Sequence, residues 1–325
     1  LKAFFLPTLL SVCAIASPSF AQDWESFSYG SAQEVQLALQ DLSSHGSGLA
    51  ATNQLGQTAL ILAAESNDNP EALALLLDAG ADLEATDQVG WTALTAASAS
   101  YASPEIVGQL LEAGANVHAR ANDLSTPLIW AARMSADSRV LQQLIDAGAN
   151  LEASDENGLT ALIAAARYNQ DAAVLETLLR AGCRLNARTQ AGQTALMSAA
   201  ENNRSTEILA LLLDAGASLE ARNAEQSTAL MIAANRFDTN ASVVQLLIHA
   251  GAELTARNAH GQTPLMIAAK INSPQVVTAL LVASSRFEAK LNTQGCQRFT
   301  PLMIVAKSMT YLYGEAASIA VTDAS

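Results

Sequence analysis

The sequence predicts an all-α solenoid of short helix–turn–helix units, stacked on one another and joined by β-hairpin-like loops. The phrase Thr-[Ala/Pro]-Leu starts at Thr58, Thr92, Thr126, Thr160, Thr194, Thr228, Thr263 and Thr300, at intervals of 34, 34, 34, 34, 34, 35 and 37 residues. A period of this size marks a stacked array and not one closed core. A glycine closes the second apolar run of successive units at Gly80, Gly114, Gly148, Gly182, Gly216 and Gly251. A leucine stands nine residues before each threonine, at Leu49, Leu83, Leu151, Leu185, Leu219, Leu254 and Leu291, with Val117 in the remaining unit.

Residues 53–86 show why each unit folds this way. Asn53-Gln54-Leu55-Gly56-Gln57 is a turn. Thr58 is a helix N-cap, and Leu60, Ile61, Ala63 and Ala64 follow as a short helix with a small-residue face. Asn67-Asp68-Asn69 breaks it. Asn69 caps a second helix whose first turn accepts Pro70 without losing a hydrogen bond. Leu73, Leu76 and Leu77 share one face, Gly80 supplies a left-handed stop, and Leu83 starts the arm back to the next turn. Ser103-Pro104 and Ser273-Pro274 repeat the cap-then-proline start.

A tetratricopeptide array has a similar period but short interhelical turns. Here about fourteen residues separate one helix pair from the next threonine, enough for a small hairpin. Thr-[Ala/Pro]-Leu-x-x-Ala-Ala, followed by Leu-Leu-x-x-Gly-Ala, resembles the ankyrin repeat. The resemblance covers about eight units over residues 49–309, after an N-terminal linker and capping half-repeat at 22–48. It implies a protein-binding scaffold whose partner lies against the hairpin tips and the first helices. Three departures stand out. The family's usual His after Thr-Pro-Leu is replaced by Ile61, Thr95, Ile129, Ile163, Met197, Met231, Met266 and Met303, which implies apolar packing between units. The units are one residue longer than the usual ankyrin period, and the extra residue falls between the two helices. The turn glycine is missing at Leu124, Gln226 and Arg298, which leaves the turn geometry open at these three. Residues 310–325 are expected to form a C-terminal cap and tail.

The start of the chain reads as an export signal over residues 1–21. Lys2 precedes the uncharged run Ala3–Ala16, and Ser19-Phe20-Ala21 offers small residues where a signal peptidase cuts. Cleavage after Ala21 implies a periplasmic or secreted protein without an integral membrane segment. Lipidation of Cys13 is the alternative, disfavoured by the bulk of Val12. Cys183 and Cys296 lie about three units apart and should not pair, and Cys183 fits a small buried side chain.

The 325-residue chain has a net charge of -14, which repels phosphate backbones and excludes nucleic acid as a natural partner. No metal or cofactor is expected. His45, His118, His249 and His260 fall in four separate units, and Asp155-Glu156-Asn157-Gly158 lacks the terminal ligand of a calcium loop. No catalytic constellation is present.

The expectation is therefore a non-catalytic, monomeric binder of another protein, with an inhibitor or immunity-type protein against a basic toxin or enzyme as the alternative; the acidic surface would steer a basic partner. The contacts expected at the tips are Leu55, Gln57, Val89, Trp91, Asp123, Leu159 and Gln193. Those expected at first-helix ends are Arg133, Met134, Arg167, Tyr168 and Arg236. Trp91 is expected to face solvent, because an indole is a leading interface anchor, while Trp130 is assigned to the core.

Overall fold

The computed structural model describes residues 18–44, 48–66, 68–100, 103–134, 137–202, 205–236, 241–271 and 273–292. Cys13, Cys296, the last threonine phrase at Thr300, and residues 310–325 lie outside the described residues. The chain divides into two units, residues 1–156 and 157–325.

The first unit contains α1 (Pro18–Tyr29), α2 (Ala32–Ser44), α3 (Ala59–Ser66), α4 (Pro70–Asp78), α5 (Ala93–Ala99), α6 (Pro104–Glu112), α7 (Pro127–Met134) and α8 (Ser138–Asp146). First helices pack on first helices, in the order α1, α3, α5, α7, and second helices likewise, in the order α2, α4, α6, α8. The second unit repeats the plan with α9 (Ala161–Tyr168), α10 (Ala172–Arg180), α11 (Ala195–Asn202), α12 (Thr206–Asp214), α13 (Ala229–Ala234), α14 (Ala241–His249), α15 (Pro264–Ile271) and α16 (Pro274–Asn292). All regular elements among the described residues are helical. The arms and tips are successive turns without a regular strand.

The N-terminal segment differs from the expected linker and half-repeat. α1 and α2 form a whole pair, with α1 against α3 and α2 against α4. Phe27 and Val35 are fully buried, and Trp24 meets the Phe27 ring edge-on at 6.0 Å. The pair lacks the Thr-Ala-Leu phrase, so the repeat period does not reveal it.

The threonines cap the first helices. Thr58, Thr92, Thr126, Thr194, Thr228 and Thr263 each accept the N–H three residues on, at 3.3–3.5 Å. Thr160 keeps the extended cap backbone but makes no side-chain cap bond. Second helices are capped by Asn69, Asp137, Asp171 and Ser205. Ser103 keeps the cap backbone without a side-chain bond, and Pro104 alone sets the start of α6. Ile61, Ile129, Ile163, Met197 and Met231, in the slot of the missing histidines, are at most 2% exposed, as apolar packing between units requires. Cys183 is also buried.

The tips are tied in register by backbone bonds between consecutive loops. In the first unit, Gln88 N–H donates to the Leu55 carbonyl at 3.2 Å, Asn122 to Val89 at 3.0 Å, and Glu156 to Asp123 at 2.8 Å. In the second unit, Gln190 donates to Asn157, Ala224 to Ala191, and Ala259 to Glu225, each at 2.9 Å. This approach is close enough that a Cβ on Gly90, at φ 82°, would lie 2.8 Å from the Asn122 nitrogen. The turns at Leu124 and Gln226 keep the glycine geometry, and Arg298 lies outside the described residues. Both residues take the left-handed conformation of the glycines they replace, at φ 65° and 58°. Each turn carbonyl is held by an arginine four residues earlier. Arg120 donates to Leu124 and Ser154, Arg188 to Gly192 and Arg222, and Arg222 to Gln226 and Arg257, all at backbone oxygens. One guanidinium thus clamps its own turn and the next arm, which offsets the cost of a left-handed non-glycine residue.

Two stability changes follow from the clamp. Arg188→Ala removes two carbonyl bonds and is expected to cost about 1 kcal/mol or more. Arg180→Ala removes an exposed pair with Glu176 one helical turn away, and should cost less than ~0.5 kcal/mol. Urea unfolding of the two variants measures both. Equal effects would mean that the clamp contributes no more than an ordinary surface ion pair.

Candidate protein-binding surface

The tips and first-helix ends of the first unit converge on one aromatic pair. Trp91 closes the second tip. Its N–H donates to Asp87 Oδ1 at 2.8 Å, and its carbonyl accepts from Asp87 N–H at 3.1 Å. The equivalent position holds Gln57 in the preceding tip, Ser125 in the next, and Gln193 and Gln262 in the second unit. Gln57 and Gln193 reach down to their own first helices, at Glu65 and Ser198. Trp91, expected to face solvent, is instead half-buried: it reaches the next repeat and meets Trp130 edge-to-face, with ring centroids 4.7 Å apart.

Trp130 is the residue that sequence reasoning misplaced. It is half-buried and not part of the core. Its Nε1–H donates to Ser125 Oγ at 2.6 Å, and that hydroxyl donates in turn to Asp123 Oδ1. The Arg133 guanidinium lies over the Trp130 ring, 5.0 Å from its centroid. The small Ser125, where Gln57, Trp91, Leu159 and Gln193 stand in other tips, leaves room for the ring; that local substitution was the available signal. An edge-to-face pair contributes about 0.5–1.5 kcal/mol and a partly exposed cation–π contact about 0.5–1 kcal/mol. Together they suffice to hold the indoles in place before any partner arrives.

Beside this pair, three successive tips present large apolar side chains to solvent. Leu55 is 48% exposed, Val89 54% and Leu124 47%. Leu124 was read only as a missing glycine. At the position of Leu55 and Val89 the second unit carries Ala191, Glu225 and His260, and at that of Leu124 it carries Gly192, Gln226 and Gly261, all small or polar. Met134 is half-buried at the end of α7, close in sequence to Arg133.

Two expected contact residues are corrected. Gln57 is 6% exposed, because its amide bonds Asn53 and Glu65 within its own repeat. Leu159 is 8% exposed and packs as core. In the second unit, the Arg167 guanidinium lies 5.4 Å from the Tyr168 ring centroid and 3.8 Å from Glu201, and Tyr168 is 40% exposed. Arg236 and Gln193 are half-buried.

Glu65 ends the face of α3 beneath the first tip. Burial pushes its carboxyl up from the usual value, the neighbouring Asp87 pushes it further, and the 2.6 Å bond from Gln57 Nε2 only partly compensates. Among the described residues, no group of three or more His, Cys, Asp or Glu is placed to hold a metal ion. No helix among them is long and apolar enough to cross a membrane.

The family model for ankyrin repeats (3 copies) matches residues 28–121, 98–189, 128–223, 169–258 and 230–323. The chain belongs to the ankyrin-repeat family, whose members generally serve as protein–protein interaction modules. Among solved structures, it is similar to the ankyrin repeat domain of Bcl-3, described as a unique member of the IkappaB protein family. The identity is 30% and the TM-score 0.55, with 69% of this chain and 98% of that chain covered. A search of curated proteins found no match.

The Glu65 environment makes a signed prediction. Its folded pKa is raised above the ordinary carboxylate value by burial, so ionisation opposes folding above the folded pKa. That opposition fades as pH falls through the folded pKa and is gone below the unfolded value. Glu65→Gln should therefore raise the urea midpoint at pH 7.5 and give no such gain at pH 4. A gain confined to the acidic sample would contradict the assignment.

Proposed function

We propose that this ankyrin-repeat protein is a non-catalytic scaffold of the bacterial envelope, exported as a monomer, that binds another protein through its hairpin tips and first-helix face. One observation carries the reading: Leu55, Val89 and Leu124 lie exposed on three consecutive tips, beside a preformed Trp91–Trp130 pair. Single exposed apolar side chains are ordinary on a protein surface, but a run of them beside aromatic anchors is a feature of interfaces. Arg133, Met134 and Asp123 border the same surface. Arg167, Tyr168, Gln193 and Arg236 give the second unit a smaller, more polar set of contacts.

Export is supported by the uncharged run Ala3–Ala16 and by Ser19-Phe20-Ala21. Cleavage after Ala21 would leave Trp24 and Phe27, which pack within α1, in the mature protein. A second reading, an inhibitor or immunity-type protein for a basic toxin or enzyme, is favoured by the net charge of -14.

The double substitution Trp91→Ala with Arg133→Ala should leave the far-UV spectrum intact. It should weaken binding of an envelope partner by about tenfold or more, as loss of an aromatic anchor does. Quantitative affinity capture from periplasmic extract measures this, and unchanged retention would refute the placement. Mass spectrometry of the exported protein should find Gln22 as its first residue. A lipid-modified Cys13 or a retained leader would contradict the export reading.

A further inference from the structure

The charge of the chain is divided unevenly between its two units. Residues 1–156 hold 19 Asp and Glu against four Lys and Arg, a balance of -15. Residues 157–325 hold 12 against 13, a balance of +1. The acidity of the protein therefore belongs to the unit that also carries the exposed apolar tips and the indole pair.

Within that unit, one carboxylate lies next to Trp91, and a second, Glu65, is held by Gln57 of the preceding tip. Asp87 shares the Trp91 turn, with Oδ1 accepting the N–H groups of Val89 and Trp91 at 2.9 and 2.8 Å. Glu65 is close enough for the Asp87 charge to act on its titration. No Lys, Arg or His forms an ion pair with either carboxylate among the described residues; the ion pairs of the first unit include Arg139 with Asp137. Arg133 lies over the Trp130 ring. A partly buried carboxylate beside a second one, without a counter-ion, is an unfavourable arrangement that an incoming cation relieves. Trp91 is only half-buried at the same point, and an indole face attracts ammonium and guanidinium groups.

We propose that the first unit takes a basic segment of its protein partner, with a Lys or Arg of that segment against Trp91 and facing Glu65 and Asp87, while apolar neighbours in the segment cover Leu55, Val89 and Leu124. This rests on the proposed docking face and adds the chemistry of its occupant. The field of the unit steers a cationic segment inward, the apolar tips hold it, and the carboxylates select its charge.

The repeats themselves supply variants that keep the fold. Asn occupies the Asp87 position at Asn53, Asn223 and Asn258, and Gln occupies the Trp91 position at Gln57, Gln193 and Gln262. Asp87→Asn and Trp91→Gln are therefore substitutions that this architecture already accommodates, and Glu65→Gln is isosteric and sits where other repeats carry Ala99, Asn235 and Lys270. The probe is a fluorescein-labelled decapeptide alternating lysine and valine, compared with its glutamine–valine counterpart by anisotropy on the full chain. The lysine peptide should bind at least about tenfold more tightly, and the Glu65→Gln/Asp87→Asn double variant should lose that preference. Trp91→Gln should weaken the lysine peptide as well. If both peptides bind equally and Trp91→Gln weakens both, the basic chemistry is overturned and the docking face stands. If both bind without dependence on Trp91, both ideas fall. A failure of the lysine peptide to bind, or its undiminished binding to the double variant, overturns the inference.

Discussion

The close approach of alanine-walled first helices is the constraint from which the architecture follows. Ala63 and Ala64 in α3, Ala96 and Ala97 in α5, and Ala131 and Ala132 in α7 are all at most 1% exposed. No single eight-residue helix of this kind can bury its apolar surface alone, so each repeat depends on its neighbours. Small side chains let the helices come near enough for adjoining tips to share a backbone hydrogen bond. That bond fixes the register, and register gives each tip residue a defined neighbour one period away. The Arg120, Arg188 and Arg222 clamps extend the same logic to the arms.

The aromatic pair follows from this register. Trp91 and Trp130 belong to different repeats and meet only because the Asp87–Trp91 tip is locked beside the turn that holds Ser125. Stacking uses the Ala faces and the Leu and Ile rows, and it does not need Leu55, Val89, Leu124 or the accessible part of Trp91. What the fold does not require is concentrated in one unit, at the tips where a ligand can reach.

Much of the fold was legible because repetition averages out local ambiguity. Thr58, Gly80 and Leu83 each recur down the chain, and their structural roles recur with them. Two kinds of information did not repeat and were misread. The α1–α2 pair lacks the threonine phrase and hides behind a leader-like stretch, so only packing shows it to be complete. Trp130 occupies an ordinary helical position, and its exposure depends on Ser125 being small, which is a contact and not a pattern. Gln57 and Leu159 hold the tip position that is half-buried at Trp91, Gln193 and Gln262, yet an amide that bonds inward and a leucine that packs inward are buried there. The left-handed Leu124 and Gln226 show the converse. The stack imposes the turn, and the arginine clamp holds it without glycine.

Site-specific photocrosslinking tests the central claim most directly. A benzophenone side chain placed at Val89, on the apolar tips of the first unit, is compared with one at Ala191, on a tip of the second, in cells that make the protein. The account predicts a discrete crosslinked partner from position 89 and little or none from position 191. The reverse pattern, or equal labelling from both, would contradict it.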